Sequence, residues 1–230
     1  MLKRKEKMIT RFIIIGGRGS AVVIGEQIYD AQLKGFPVEL LGYAFDDETL
    51  NGEVNGFPIH CKTFEARDKF SKCDDVKFIY QLWRPDLMKI RIELLNSFLI
   101  PEDKFGTFIH PSAIVAKSSS IGYGCSILGN CVVNPGSVIG NHCTVHSNSL
   151  IGHDSKMGDY NFIAAHTALG SNNIIGHSNF FGLKCSVNNK ITIGDYCFVG
   201  MAANVIKSVE SNTTVIGNPA KPVEIKIKPL

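Results

Sequence analysis

"LIGHDSKMGDYNFIAAHTALG", residues 150–170, carries an apolar side chain at every sixth position: Ile151, Met157, Ile163 and Leu169. The same step runs back through Val145, Ile139, Val133, Ile127, Ile121, Val115 and Ile109. It runs forward through Ile175, Phe181, Val187, Ile193, Val199 and Val205. All 17 positions are apolar in a chain that is 44% hydrophobic. Chance would give such a run roughly once in a million frames, so a hexapeptide repeat is the reading. Nine of the 17 are followed directly by glycine, and the residue two before each is small almost throughout. From Ala113 to Ala203 that second position holds Ala, Ser, Cys, Asn or Thr, with Ile191 as the one large exception. One inward aliphatic and one small corner residue per hexapeptide predict a parallel β-helix of triangular coils, three hexapeptides per coil. Stacked coils would then lie about 4.8 Å apart.

The corner slot also accounts for most of the cysteines. Cys125, Cys131, Cys143, Cys185 and Cys197 occupy it and read as compact buried hydrophobes. Seven cysteines, an odd number without CxxC spacing, predict neither a disulfide framework nor a zinc site, and no metal is expected. A net charge of +3 gives no footing for nucleic acid, and the basic run Lys3–Lys7 reads as a solvated tail. No apolar run approaches the roughly 18 residues of a membrane span, and no signal-peptide pattern opens the chain, so the expected location is the cytoplasm.

Ahead of the repeat the periodicity changes. Residues 8–35 read as a buried strand (Ile9–Ile15), a glycine-rich turn and a helix ending near Gly35. "PVELLGYAFDD" gives a second strand closed by Asp46 and Asp47. "VKFIYQL" gives a third, and "RPDLMKIRIELLNSFL" a helix with Pro85 in its first turn. This alternation predicts a small α/β, Rossmann-like domain over 1–106, followed by the β-helix over 107–230, with residues 100–107 as the linker. The turn Gly16, Gly17, Arg18, Gly19, Ser20 falls short of a full GxGxxG. It suits either a diphosphate at a helix N-terminus or a plain tight turn. Asp46 and Asp47 are placed to bind ribose or base hydroxyls, or to solvate the surface.

Together, "IIIGGRGSAVVI", "GYAFDDETLNGEVNGFPI", "HPSAIVAKSSSIG", "NSLIGHDSKMGD" and "VIGNPAKPV" resemble the bacterial sugar acetyltransferases. Within these, the chain is similar to the sialic-acid O-acetyltransferase and nucleotide-aminosugar N-acetyltransferase group. The resemblance implies a left-handed β-helix and a homotrimer that binds acetyl-CoA between neighbouring β-helices. It also implies a nucleotide-linked sugar held by the N-terminal domain, with Gly16, Gly17, Arg18, Gly19, Ser20, Asp46 and Asp47 as candidate contacts. The family's catalytic histidine falls on His153 and the acid beside it on Asp154. Acetyl-CoA contacts fall on Phe162, Ser171, Leu183 and Met201.

His153 also has an argument of its own. It lies two residues after an inward aliphatic and therefore faces outward. Ser171 is one coil further on, where a backbone N–H could meet a developing oxyanion. A neutral imidazole suits the removal of a proton from an attacking amine or hydroxyl, and Asp154 would orient the ring. His142, His146 and His177 read as solvated turn residues.

Two positions depart from the family. Phe162 stands where a second histidine is common; it either packs against the pantetheine arm or alters donor binding. Trp83 and Arg84, in "YQLWRPD", either form an unusual sugar or nucleotide pocket or cap a helix. The expected activity is N-acetylation of a nucleotide-linked amino sugar for surface glycan synthesis. O-acetylation of a similar sugar and a non-catalytic scaffold are the alternatives.

Overall fold

The computed structural model describes residues 9–224; the basic run Lys3–Lys7 lies outside them. The chain divides into two compact units. One comprises the residues up to Leu82 together with Leu94–Gly106, and the other Trp83–Glu93 together with the chain from Thr107. The segment Trp83–Glu93, expected with the first unit, thus groups with the repeat.

The first unit runs β1 (Thr10–Ile15), α1 (Ser20–Leu33), β2 (Val38–Ala44), β3 (Glu53–Val54), β4 (Phe57–Cys61), α2 (Ala66–Lys69) and β5 (Val76–Tyr80). The sheet order is β3-β4-β2-β1-β5; β4, β2, β1 and β5 are mutually parallel, and β3 pairs antiparallel with β4. Phe12, Ile13, Ile14 and Ile15 are all buried, the near-continuous apolar run of a strand covered on both faces. Helix α1 buries Ala21, Ile24, Gly25, Ile28 and Ala31, spaced as one helical face. Gly25 lets that face approach closely, since a Cβ there would run into the Tyr43 hydroxyl. The expected helix near residue 84 begins as a 3-10 turn (Pro85–Leu87) and continues as α3 (Met88–Ser97).

The second unit is the parallel β-helix. Its two-residue strands pair 18 residues apart, as Val132 with Leu150, then Ala168, Ser186 and Asn204. They form three sheets, of six, five and eight strands, which are the faces of the coil. From Ile127 to Val205 every sixth-position apolar residue is buried and belongs to one continuous core. The first three positions are less covered: Val115 and Ile121 are half-buried against that core, and Ile109, on the first strand of its sheet, is 41% exposed.

Two sequence regularities acquire physical causes. Glycine follows the inward aliphatic because the next coil lies directly over it. A Cβ on Gly182 would come 2.6 Å from the Met201 nitrogen, and one on Gly152 would come 2.6 Å from the Ser171 nitrogen. The small corner residue does more than fit, since it donates a hydrogen bond to the coil stacked on it. Ser137 Oγ reaches Gly152 O at 2.9 Å, Cys143 Sγ reaches Gly158 O at 3.2 Å, and Asn161 Nδ2 reaches Gly176 O at 2.8 Å. The five corner cysteines are free and buried; burial raises the thiol of Cys185 to about 11, which keeps it protonated.

Candidate active site

From Gly124 to Ala202 each corner of the coil contains a left-handed residue, recurring every sixth position. Asn148, Asp154, Tyr160, His166 and Asn172 all have φ between 57° and 63°. Asp154 is one of these, at φ 57°. Its carboxylate Oδ2 lies 2.8 Å from His153 Nδ1, with both side chains more than half exposed. The backbone beneath the pair is clamped on both sides, since the Asp154 N–H donates to Pro135 O and the Asn172 N–H to His153 O, each at 2.9 Å. An ionised carboxylate only accepts, so in the neutral ring His153 Nδ1 carries the proton and Nε2 keeps its lone pair.

His177 occupies the equivalent slot at another corner, with the same side-chain exposure of 55%. Its Nδ1 accepts from the Asp159 backbone N–H at 3.0 Å, which leaves the proton on Nε2. The two histidines share a backbone position and hold opposite tautomers.

Ser171 stands one coil from His153, as expected, but its amide is not open. It donates to Asn189 Oδ1 at 2.7 Å. Nothing in the sequence around Asn189 marks it; only the 18-residue stacking distance from Ser171 would have found it.

The other donor-site candidates lie elsewhere on the coil. Phe162 belongs to the eight-stranded face, while His153 sits on the corner between the other two. It forms an outward ladder, stacked on Phe180 at 5.1 Å, with Phe180 on Phe198 at 5.0 Å. Leu183 and Met201 occupy the corner that follows that face, one coil apart and exposed by 50% and 70%. Within one chain, therefore, only Ser171 shares a corner with the His153–Asp154 pair.

Two histidines read as solvated are not. Burial leaves His142 only 4% exposed and lowers its pKa, and that of His146, to about 4. His142 stacks on Tyr160 at 5.6 Å, and Trp83 packs its ring against both. Arg84 is the N-cap residue of the 3-10 turn but makes no capping hydrogen bond with its side chain, which pairs instead with Asp86 at 2.7 Å.

In the first unit, Gly16 (φ 133°) and Gly17 are glycine for internal packing. A Cβ on the first would lie 2.9 Å from Gln81 O, and on the second 2.5 Å from the Phe45 ring. Gly19, which caps α1 at φ 56° and ψ −122°, faces open space, and Ser20 begins the helix. Arg18 ion-pairs with Asp47 at 2.6 Å and bonds Thr49 Oγ1 at 3.0 Å. Hydrogen bonds from Thr49 and Arg18 hold the Asp47 carboxyl below the usual range. Asp46 accepts from the Thr63 hydroxyl at 2.6 Å and from its N–H at 3.3 Å. Both acids thus tie down the loops that follow, Asp47 through Thr49 and Arg18 and Asp46 through Thr63. Among the described residues no group of three or more His, Cys, Asp or Glu is placed to hold a metal, and no helix is long and apolar enough to cross a membrane.

The family described as bacterial transferase hexapeptide (six repeats) matches residues 136–171, the stretch containing His153, Asp154 and Ser171. No curated protein sequence matches the chain. Among solved structures, a histidine-to-asparagine variant of perosamine N-acetyltransferase from Caulobacter crescentus, in complex with CoA and GDP-perosamine, is similar with a TM-score of 0.79. It is 22% identical, over 93% of this chain and 97% of that one. The acetyltransferase domain of PglB from Neisseria gonorrhoeae, in complex with acetyl coenzyme A, aligns with a TM-score of 0.77. It is 24% identical, over 94% and 100% of the two chains. WeeI from Acinetobacter baumannii aligns with a TM-score of 0.73 at 22% identity, over 94% and 100%. The shared feature is the fold: a left-handed, hexapeptide-repeat β-helix with parallel sheets.

Proposed function

We propose that the chain is an acetyl-CoA-dependent N-acetyltransferase acting on a nucleotide-linked amino sugar for surface glycan synthesis, working as a cytoplasmic homotrimer. The observation that carries this reading is the exposed His153–Asp154 pair, whose geometry leaves Nε2 as a base directed away from its partner. The substrate amine attacks the thioester carbonyl carbon while His153 Nε2 accepts its proton. The tetrahedral oxyanion then collapses, the C–S bond breaks, and the imidazolium returns the proton to the departing CoA thiolate. Asp154 supports the ring while it is charged. The Ser171 amide is the candidate oxyanion donor, once Asn189 swings off it.

Phe162, Leu183 and Met201 supply apolar surface for the donor, but from a face and a corner that one chain does not bring to His153. That separation supports a site completed by a neighbouring copy, and hence the trimer. For the first unit, taken as a Rossmann-like domain over 1–106, support comes from the order of its parallel strands. In chain order they lie 3-2-1-4, and the glycine turn follows the strand at the switch point. The β-helix over 107–230 is the acetyl-transfer domain in this reading.

The test is CoA release from acetyl-CoA with a panel of nucleotide-linked sugars, GDP-perosamine among them. Turnover that requires an amine supports the proposal. Turnover with hydroxyl-only sugars would make the enzyme an O-acetyltransferase, and silence with every sugar would leave a scaffold.

A further inference from the structure

We infer that Gly136 is a positioning residue for the His153–Asp154 pair; the inference rests on reading that pair as the reacting dyad. Gly136 stands one coil before Asp154 on the same corner, in the same left-handed column: φ is 73° at Gly136, 57° at Asp154, 61° at Asn172 and 61° at Lys190. Of these four, only residue 136 lacks a side chain. The Asp154 carboxylate occupies the vacated space. A Cβ built on Gly136 would collide with Asp154 Oδ1, and it would sit 3.3 Å from Cγ.

One carboxylate oxygen therefore rests over Gly136 while the other accepts from His153 Nδ1 at 2.8 Å. Gly136 is itself held, its N–H donating to Ser118 Oγ at 3.2 Å. The floor under the carboxylate is thus a fixed piece of backbone. The fold repeats the device once: Gly124, at φ 68°, makes room in the same way for the His142 ring one coil on. In both cases a bare left-handed residue lets the side chain above fold back over the stack. At Asp154 that inward lean rests one oxygen on the stack and aims the other at Nδ1, and so holds the ring proton on Nδ1.

The experiment pairs Gly136→Ala with Asp154→Ala, singly and together, in the full chain. Ring 15N chemical shifts of His153 report its tautomer without substrate; kcat and KM are measured with acetyl-CoA and GDP-perosamine, or whichever panel sugar is turned over. The expected result for Gly136→Ala is a mixed tautomer population like that of Asp154→Ala. Its kcat should fall about three- to tenfold with both KM values unchanged, a loss of the size of one exposed charged hydrogen bond. On the Asp154→Ala background the added methyl meets no carboxylate, so it should change neither readout. Gly136→Asn carries the same Cβ with less backbone strain, since this chain places Asn130, Asn148 and Asn172 at φ between 60° and 63°. It keeps the test decisive if the alanine variant folds poorly. A wild-type tautomer in Gly136→Asn, or an equal kcat loss on both backgrounds, overturns the inference. A chain that turns over no sugar yet shows the tautomer shift would sink the proposed activity and leave the positioning role standing.

Discussion

Replacing Asp154 by Asn removes one negative charge and leaves the backbone undisturbed. At φ 57° most side chains are strained, but asparagine is among the best tolerated, and the chain already uses it at Asn130, Asn148, Asn172 and Asn212. Melting temperature should therefore stay at the wild-type value, whereas Asp154→Ala should lower stability by the roughly 1 kcal/mol that a left-handed alanine costs. The catalytic loss has two sources. The pair is 2.8 Å apart with 55% and 62% of the side chains exposed, so its charge stabilises the imidazolium by at most about 1 kcal/mol, roughly fivefold in rate. The second source is the tautomer. An asparagine that turns its NH2 toward Nδ1 would hold the proton on Nε2, where no base is then available. In a buried triad the same exchange costs about 10⁴; here solvent lets the amide turn its oxygen back, and the ring re-equilibrates. The expected fall in kcat is 10- to 100-fold, against roughly 10² to 10⁴ for His153→Ala, with both KM values held. CoA release under saturating acetyl-CoA measures it. A wild-type kcat in Asp154→Asn would refute the assignment of Asp154. A loss greater than that of His153→Ala, at unchanged melting temperature, would make the acid rather than the histidine the reacting base.

Asn189→Ala should raise kcat about three- to tenfold with the acetyl-CoA KM little changed, because one neutral hydrogen bond of about 1 kcal/mol no longer competes for the Ser171 amide as the oxyanion forms; an unchanged kcat would remove that amide from the site. Gly19→Ala should raise the KM for the nucleotide sugar and spare acetyl-CoA, with some loss of stability because φ 56°, ψ −122° is glycine territory; lost acetyl-CoA affinity would refute the division of labour between the units. His142 and His146 are held near 4 when folded and titrate near 6.5 when unfolded, so the unfolded chain binds more protons between those values. Stability should be complete above about pH 6.5 and fall toward pH 4, by about 2 kcal/mol for each ring at pH 5. Urea titrations at pH 7 and pH 5 on wild type and His142→Gln check it, and a wild-type slope in the variant would refute the attribution.

The period of six was legible because every strand of the coil must point one aliphatic inward, from Ile127 to Val205 without a gap. The corner slot was legible as small but not as a donor. Cysteine, serine, threonine and asparagine share that second property only once a carbonyl of the next coil is stacked above them. The hairpin Glu53–Cys61 went unread although its signal was present: Asn55-Gly56, with φ 49° and 81°, is the two-residue turn that joins antiparallel strands. The partners of the acids at the end of β2 were not legible, because a sequence shows charge without showing what it meets. Arg18 and Thr63, 29 and 17 residues away, had already engaged them. Burial of His142 was hidden for a similar reason, since Trp83 comes from a segment far from it in the chain.

Adjacent side chains seldom meet. On a strand they point to opposite faces, and on a helix the neighbours of a residue are three or four positions away. A histidine that uses the very next residue as its partner therefore needs a turn between them, and the coil provides one at every corner through its left-handed residue. His177 shows that the backbone alone does not make a base. It has the same slot and the same exposure, but Ser178 rather than an acid occupies the left-handed position. Its ring accordingly turns into the stack, caps the Asp159 amide through Nδ1, and keeps the proton on Nε2. At His153 the acid takes Nδ1, no backbone amide does, and Nε2 is left to accept a proton. The difference between a structural and a reacting histidine on this fold is thus carried by one neighbouring residue. His177→Ala should accordingly cost stability and leave kcat alone, the reverse of His153→Ala, and a matched loss of kcat in both would show that the tautomer does not distinguish them.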